Sequence, residues 1–368
     1  MASTLVQRSS GRRAVSSGRR DLVVALATVW LAGGLFMDGW AHSHVPTLET
    51  FFTPWHGVLY SGYAALAISL VPARVWRGRP EGPVRDWVPA GYGLGLLGAV
   101  LFAAGGAFDM TWHIVFGIEV DLEALLSPPH LLLLTAGTLM IATPIRAAAA
   151  KRNLAANGGG LAAEGEGERD GEIATPATGG ALAWASGPDV PVLISATTAT
   201  GVAAFFLDYL SPFTDAPAAM SANGDREVLG VADYMTYTVL ILVAVLFVWT
   251  RLGRMPLGLI TLVVAAASVP NGVFGDFENL PAQLWPLAGA VIADLAVQAV
   301  AARRGDLLTL AAGVLVPLLI WPTHLIGVEL SLGIAWSLEL WSGVVVLTAL
   351  AGAVLGGLFL PRTRPAGD

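Results

Sequence analysis

The sequence contains no cysteine and few charged residues. Without cysteine there is no disulfide framework and no thiolate metal site, so a metal would be bound through nitrogen and oxygen atoms. Only 13% of the 368 residues are charged, and the basic ones are not interleaved with aromatic residues as binding of single-stranded nucleic acid requires. Nucleic acid is therefore not expected as a partner.

Hydrophobic residues, in contrast, make up 55% of the chain. They form runs long enough to cross a bilayer, which takes about 20 residues each. The sequence therefore predicts an all-α, polytopic transmembrane helix bundle of about ten spans, embedded in the lipid of the plasma (cytoplasmic) membrane. The predicted spans cover residues 21–40, 54–74, 88–108, 127–147, 190–210, 231–250, 255–273, 282–301, 306–326 and 335–360.

Basic residues fall almost entirely on one side of these spans. Every lysine and arginine except Arg226 lies on the side of the two termini if the ten spans alternate in direction. Because basic loops are retained in the cytoplasm, both termini are predicted to be cytoplasmic. Arg19 and Arg20 before an apolar run also resemble the start of a signal segment. The run continues to Met37 without a small-residue cleavage site, so we expect a retained anchor.

Residues 148–189 differ from the rest of the chain because they are rich in Ala, Gly and Glu and poor in aromatic residues. Such a segment buries too little apolar surface to offset the entropy of ordering, so a disordered cytoplasmic linker is predicted. The predicted organisation is a basic cytoplasmic tail (1–20), a four-span half (21–147), the linker (148–189), a six-span half (190–361) and a cytoplasmic tail (362–368).

Four polar residues recur in the same order at two places in the four-span half. The first copy is Asp38, His42, Glu49 and His56, and the second copy is Asp109, His113, Glu123 and His130. In each copy the Asp and the first His are four residues apart, which places them on one face of a helix. Five of the six histidines lie within these two stretches. In so apolar a chain, this concentration predicts one or two metal sites near the extracytoplasmic ends of the spans.

The second His of each copy follows a pair of residues that is typical of a helix start. Thr53-Pro54 and Ser127-Pro128 suit the N-cap and the first helical position, so His56 and His130 are both predicted at the third helical position. The helix dipole disfavours a cationic imidazole there, and a metal ligand must be a neutral one.

Each residue taken alone has an ordinary interpretation. A single interfacial His is commonly bonded to water or a lipid headgroup, and a single Asp at a helix end is commonly a cap. The recurrence of the whole pattern favours metal binding, because a carboxylate at the end of an apolar span is costly unless it is paired or metal-bound. The predicted metal ligands are Asp38, His42, His56, Asp109, His113 and His130.

Other polar residues are not expected to bind metal directly. His44, Glu49, Glu119 and Glu123 are expected in solvated loops unless they support the ligands, and His324 is expected to form a hydrogen bond inside the bundle. Asp208 and Asp276 end odd-numbered spans much as Asp38 and Asp109 do, but no His follows four residues later.

The run from Phe52 to Tyr60 resembles the F-T-P-S-H-x-x-x-F-Y run in the C subunit of the copper membrane monooxygenases, the methane and ammonia monooxygenase family. Asp38, His42 and His56 match the three ligands of one copper site of that family. The run from Glu123 to His130 is similar to the E-L-F-x-A-P-x-H run of its second site, where Asp109, His113 and His130 match with Asp replacing Asn. The resemblance covers roughly residues 30–135, and the family's Arg-Asp pair before F-T-P is absent here.

Ligand chemistry alone leaves copper, zinc and other borderline metals open, with zinc indicating a structural site or hydrolysis. The resemblance implies copper and oxidation of a small apolar substrate with O2. It gives the catalytic role to Asp109, His113 and His130. Glu49 and Glu123 would orient ligands or relay protons, and Trp40, Trp55 and Trp112 would wall a dry pocket. Partners would be other monooxygenase-like subunits or further copies of this chain.

Two alternatives remain at this point. One is a non-catalytic membrane protein that binds or delivers copper. The other is a transporter or receptor whose acidic and histidine-rich outer face binds a substrate cation.

The charge distribution generates a prediction about topology. In single-cysteine variants, Asn157→Cys should be labelled by an impermeant thiol reagent only from the cytoplasmic side, and Pro46→Cys only from the opposite side. The cysteine-free chain makes both measurements clean. The reverse pattern, or equal labelling from both sides, would contradict the ten-span arrangement.

Overall fold

A computed structural model describes residues 14–45, 52–78, 87–117, 121–156, 162–163, 189–220 and 224–360. Helices dominate these residues. They are α1 Gly18–His44, α2 Pro54–Leu70, α3 Ala73–Trp76, α4 Gly93–Phe116, α5 Asp121–Leu126, α6 Pro128–Ile141, α7 Thr143–Ala156, α8 Val190–Phe206, α9 Pro212–Asp215, α10 Gly224–Leu252, α11 Leu259–Ser268, α12 Leu280–Arg303, α13 Leu308–Ser331 and α14 Leu338–Leu358. Two residues of β1 (Ala14–Val15) pair in parallel with two of β2 (Ala162–Ala163).

Seven helical segments within the described ranges are long and apolar enough to cross a membrane. They are Gly18–His44, Gly93–Phe116, Pro128–Ala156, Gly224–Leu252, Leu280–Arg303, Gly305–Ser331 and Leu338–Leu358. The prediction of an all-α, multi-pass membrane protein is thereby confirmed. The other three predicted spans contain the shorter helices α2, α8 and α11. At 1.5 Å per residue, the 17 residues of α8 extend about 26 Å, less than the hydrocarbon core of about 30 Å.

The predicted linker begins too early at residue 148, because α7 continues to Ala156. The helix continues because an Ala-rich sequence favours helix formation. Its last turns also contact α1. The Lys151 Nζ lies 2.6 Å from an Asp21 carboxylate oxygen, and the Tyr92 hydroxyl donates to the other oxygen at 2.7 Å. Most of the remaining linker, the first 13 residues and the predicted tail 362–368 lie outside the described residues.

Glycine allows the helices of the first half to approach closely in pairs. A Cβ atom on Gly34 would lie 2.6 Å from the Leu59 Cα, and one on Gly62 would lie 2.8 Å from the Leu31 Cα. α1 and α2 therefore pack backbone to backbone, as small residues permit between membrane helices. Gly98 allows a similar approach of α4 to α6, because a Cβ atom added at this position would lie 2.7 Å from the Ala136 carbonyl oxygen. These two helix pairs position the polar residues described below.

Buried apolar residues form one group in each half and a third group between the halves. The third group contains Ile141 from α6 and Val202, Phe205 and Phe206 from α8. α8 also packs against α1 and α11. The first helix of the second half thus lies directly against the first half.

The close approach of α1 and α2 generates a prediction with a matched control. Gly34→Val should lower the free energy of unfolding in detergent by roughly 1–3 kcal/mol, because the added atoms overlap the α2 backbone. Gly33→Val makes the same chemical change where nothing lies within 4 Å of the added Cβ, and it should be tolerated. Thermal unfolding of both variants measures the difference. Equal destabilisation of the two variants would show that helix propensity, and not the packing of α1 on α2, determines the loss of stability.

Candidate metal centres

The six predicted metal ligands lie on two helix pairs at one end of the bundle. Asp38 and His42 are in the last two turns of α1, and His56 is in the first turn of α2. The second copy repeats this placement in the last turns of α4 and the first turn of α6. Two groups result, in each of which the potential ligand atoms all lie within 4.8 Å of one another. We call Asp38, His42 and His56 centre 1, and Asp109, His113 and His130 centre 2.

Asp38 joins the two histidines of centre 1. Its Oδ1 lies 2.9 Å from the His56 Nδ1, and its Oδ2 lies 3.9 Å from the His42 Nε2. The two imidazole rings are 5.9 Å apart between centroids and steeply inclined to each other. Asp38 is only 7% exposed, so its carboxylate has little access to water.

In centre 2 a single oxygen of Asp109 faces both histidines. Asp109 Oδ1 lies 3.2 Å from the His130 Nε2 and 3.5 Å from the His113 Nε2. Asp109 is 2% exposed, so it is more deeply buried than Asp38. Within the described residues, neither Asp38 Oδ1 nor Asp109 Oδ1 receives an aligned hydrogen bond. Both oxygens therefore suit a cation held between the carboxylate and the imidazoles.

The hydrogen bond made by the other ring nitrogen of His113 supports this interpretation. Its Nδ1 lies 3.1 Å from the Gly117 carbonyl oxygen, which can only accept a hydrogen bond, so Nδ1 carries a proton. In a neutral ring the Nε2 lone pair would then point towards the Asp109 carboxylate, where two acceptors repel each other. A cation between them, either a proton or a metal ion, removes this repulsion. The donor set of one carboxylate and two imidazoles fits copper or zinc.

Hydroxyl groups orient the second histidine of each centre. The Thr53 side chain caps α2 by accepting a hydrogen bond from the His56 amide at 3.1 Å, as predicted, and its oxygen also lies 3.2 Å from the His56 Nδ1. The Ser127 side chain makes no such cap. Its hydroxyl lies 2.9 Å from the His130 Nδ1 and leaves Nε2 directed at Asp109. A bond to the second ring nitrogen, as at His130, is typical of metal-binding histidines. In centre 1, by contrast, Thr53 lies near the same His56 nitrogen that faces Asp38.

One small cavity adjoins both centres. It has a volume of about 70 Å³, and its polar lining consists of Asp38, His56, Tyr60, Asp109 and His130. The remaining lining is apolar and includes two residues of α8, Val202 and Phe206. Sequence reasoning missed Tyr60 and α8. Tyr60 could have been predicted, because it follows His56 by four residues and therefore lies on the same helical face.

The predicted tryptophan pocket is wrong, because none of the three tryptophans lines this cavity. Trp40 lies two residues after Asp38 and therefore points to another side of α1, where it stacks on His44 and meets Trp55 edge to face. Trp112 packs between Phe108 and Phe116 on α4.

The other polar residues considered in the sequence do not join either centre in the part of the chain that the structure describes. His44 lies outside centre 1. Its Nδ1 is within hydrogen-bond distance of the Ser43 hydroxyl, and its Nε2 lies 3.6 Å from an Asp276 carboxylate oxygen. Glu49 and Glu119 lie outside the described residues, and Glu123 belongs to α5. His324 is fully buried with its Nδ1 2.9 Å from the Ala282 carbonyl oxygen, which confirms a hydrogen bond inside the bundle. No histidine is paired with Asp208 among the described residues, and its carboxylate accepts a hydrogen bond from the Thr214 hydroxyl at 3.3 Å.

No family model, no curated protein and no solved structure matches the chain.

Proposed function

We propose that this chain is an integral membrane copper-binding protein with two centres, each made of one aspartate and two histidines. The observation that carries the proposal is the convergence of Asp38, His42 and His56 and of Asp109, His113 and His130 into two compact ligand groups. Each group combines a buried carboxylate with imidazoles, and the histidines of centre 2 are held by partners on their other nitrogen. Copper is preferred to zinc because the order of the residues resembles that of the copper membrane monooxygenases.

The proposal includes ten membrane crossings, cytoplasmic termini and an extracytoplasmic position for both centres. Support comes from the opposite end of the bundle, where basic side chains are used as anchors. Arg20 donates to the carbonyls of Leu70 and Val71 at the end of α2, and Lys151 pairs with Asp21. Retention of basic residues in the cytoplasm then puts the histidine end outside.

The residues of the chain would act on a bound ion in defined ways. The carboxylates of Asp38 and Asp109 would each offset one positive charge, and most of the cavity wall beside them is apolar. Ser127 and the Gly117 carbonyl hold the rings of His130 and His113 in position. When bound, copper supplies a Lewis acid and a one-electron redox couple.

A second function, oxidation of a small apolar substrate with O2, is favoured by the apolar cavity beside both centres. Asp109, His113 and His130 would be its catalytic residues. Other subunits or a second copy of the chain would be the partners of such an enzyme. If no substrate is oxidised, the same two ligand groups would bind copper for storage or delivery.

The first test of the proposal is copper content. Under copper-replete conditions, protein purified without chelators should contain copper, and His113→Ala or His130→Ala should weaken binding at centre 2 by more than ~10-fold, because a direct ligand is lost. His324→Ala is the matched control, since His324 is buried and hydrogen-bonded away from both centres. Elemental analysis of all four proteins gives the answer. Protein that binds no metal, or that binds zinc in preference to copper, would contradict the proposal.

The second test separates an enzyme from a binding protein. If the protein is an oxidase of a small substrate, Asp109→Ala should abolish product formation while His113 and His130 retain part of the copper. Asp208→Ala is the control, because this half-buried aspartate also follows an apolar helix but has no histidine partner among the described residues. Copper content and product are measured together in membranes supplied with O2 and an electron donor. Full copper occupancy without product from the wild-type protein would leave only the binding function.

A further inference from the structure

Tyr60 occupies a position between the two centres. It follows His56 by one helical turn on α2, and the two rings are roughly parallel with centroids 6.2 Å apart. It lines the small cavity together with the carboxylates of both centres. Tyr60 is also within electrostatic range of both Asp38 and Asp109. No other tyrosine lines this cavity among the described residues.

A glycine on α4 makes room for the Tyr60 side chain. A Cβ atom on Gly106 would lie 2.8 Å from the Tyr60 hydroxyl oxygen and 3.1 Å from its ring. Gly106 precedes Asp109 by three residues, so the two share one face of α4. Tyr60 therefore extends from the helix that carries His56 to the helix that carries Asp109, and its hydroxyl lies against Gly106, about one turn before Asp109.

The size and charge of the cavity limit what it can hold. A volume of about 70 Å³ holds a few water molecules or a molecule of two or three heavy atoms. Each centre contributes one carboxylate, so a divalent ion at a centre leaves a net positive charge there. In an apolar surrounding that charge favours a small anion, and the anion in turn favours a hydrogen-bond donor.

We propose that this cavity is a binding site for a small anion beside the metal centres, with the Tyr60 hydroxyl as its hydrogen-bond donor. The inference rests on the proposed function, because a divalent ion must be bound for the anion to be held. Tyr60 is then a binding residue that selects a ligand, and it is not itself a metal ligand. Apolar walls from Phe206 and Val202 restrict the site to small linear or diatomic ligands.

Azide is a suitable probe because it is a linear anion of three atoms whose binding to copper(II) produces a charge-transfer absorption band. Copper(II)-loaded wild-type protein should bind azide, and Tyr60→Phe should weaken the affinity by ~10-fold or more while copper content is unchanged, since a hydrogen bond to a charged group is lost. Tyr63→Phe is the matched control. Tyr63 lies one turn further along α2, and its hydroxyl donates to the Ala99 carbonyl at 2.8 Å outside the cavity.

A second variant keeps the test decisive if Tyr60→Phe folds poorly. Gly106→Ala should displace the Tyr60 hydroxyl and also weaken azide binding, without changing any metal ligand. Gly57→Ala is its control, because nothing lies within 4 Å of the added Cβ.

The outcomes are distinguishable. Copper binding with no azide binding, or with equal azide affinity in wild type, Tyr60→Phe and Gly106→Ala, would overturn this inference and leave the proposed function intact. Failure of the wild-type protein to bind any metal would overturn both.

Discussion

A buried carboxylate at the end of an apolar helix is the constraint on which the first half of this protein depends. Asp109 is almost fully buried, and its Oδ1 faces two imidazole nitrogens. A charge in this position is costly unless a cation or proton compensates it. The close packing of α4 on α6, which Gly98 allows, brings His130 towards Asp109, and the hydroxyl of Ser127 then fixes its ring. Packing and chemistry are therefore coupled in this region.

Much of each centre could be predicted from the sequence because it depends on local geometry. The four-residue spacing of Asp38 and His42 places them on one face, and the Thr53-Pro54 pair places His56 in the first turn of α2. The shared cavity could not be predicted in this way. Its existence depends on how α1, α2, α4, α6 and α8 pack together, and the glycines that determine these contacts do not form a recognisable pattern before the partner helices are known. The incorrect tryptophan pocket has a different cause, because the two-residue spacing of Asp38 and Trp40 already places them on different sides of α1.

The same distinction between local and long-range effects applies to the fold. Runs of apolar residues predicted the positions of the helices well, because each run must satisfy its own backbone hydrogen bonds in lipid. Composition alone placed the start of the linker at residue 148, where α7 in fact continues. The pairing of Lys151 with Asp21 joins residues 130 positions apart, and no local pattern signals it. Ser127 is a smaller example, since its identity as a cap residue did not reveal that it faces His130.

The contribution of α8 to the cavity has a consequence for how the chain can vary. Val202 and Phe206 belong to the second half, yet they close a space whose polar residues all come from the first. The two halves are thus complementary parts of one chamber, so a change in side-chain size at Val202 or Phe206 in the second half alters the space beside the metal ligands of the first.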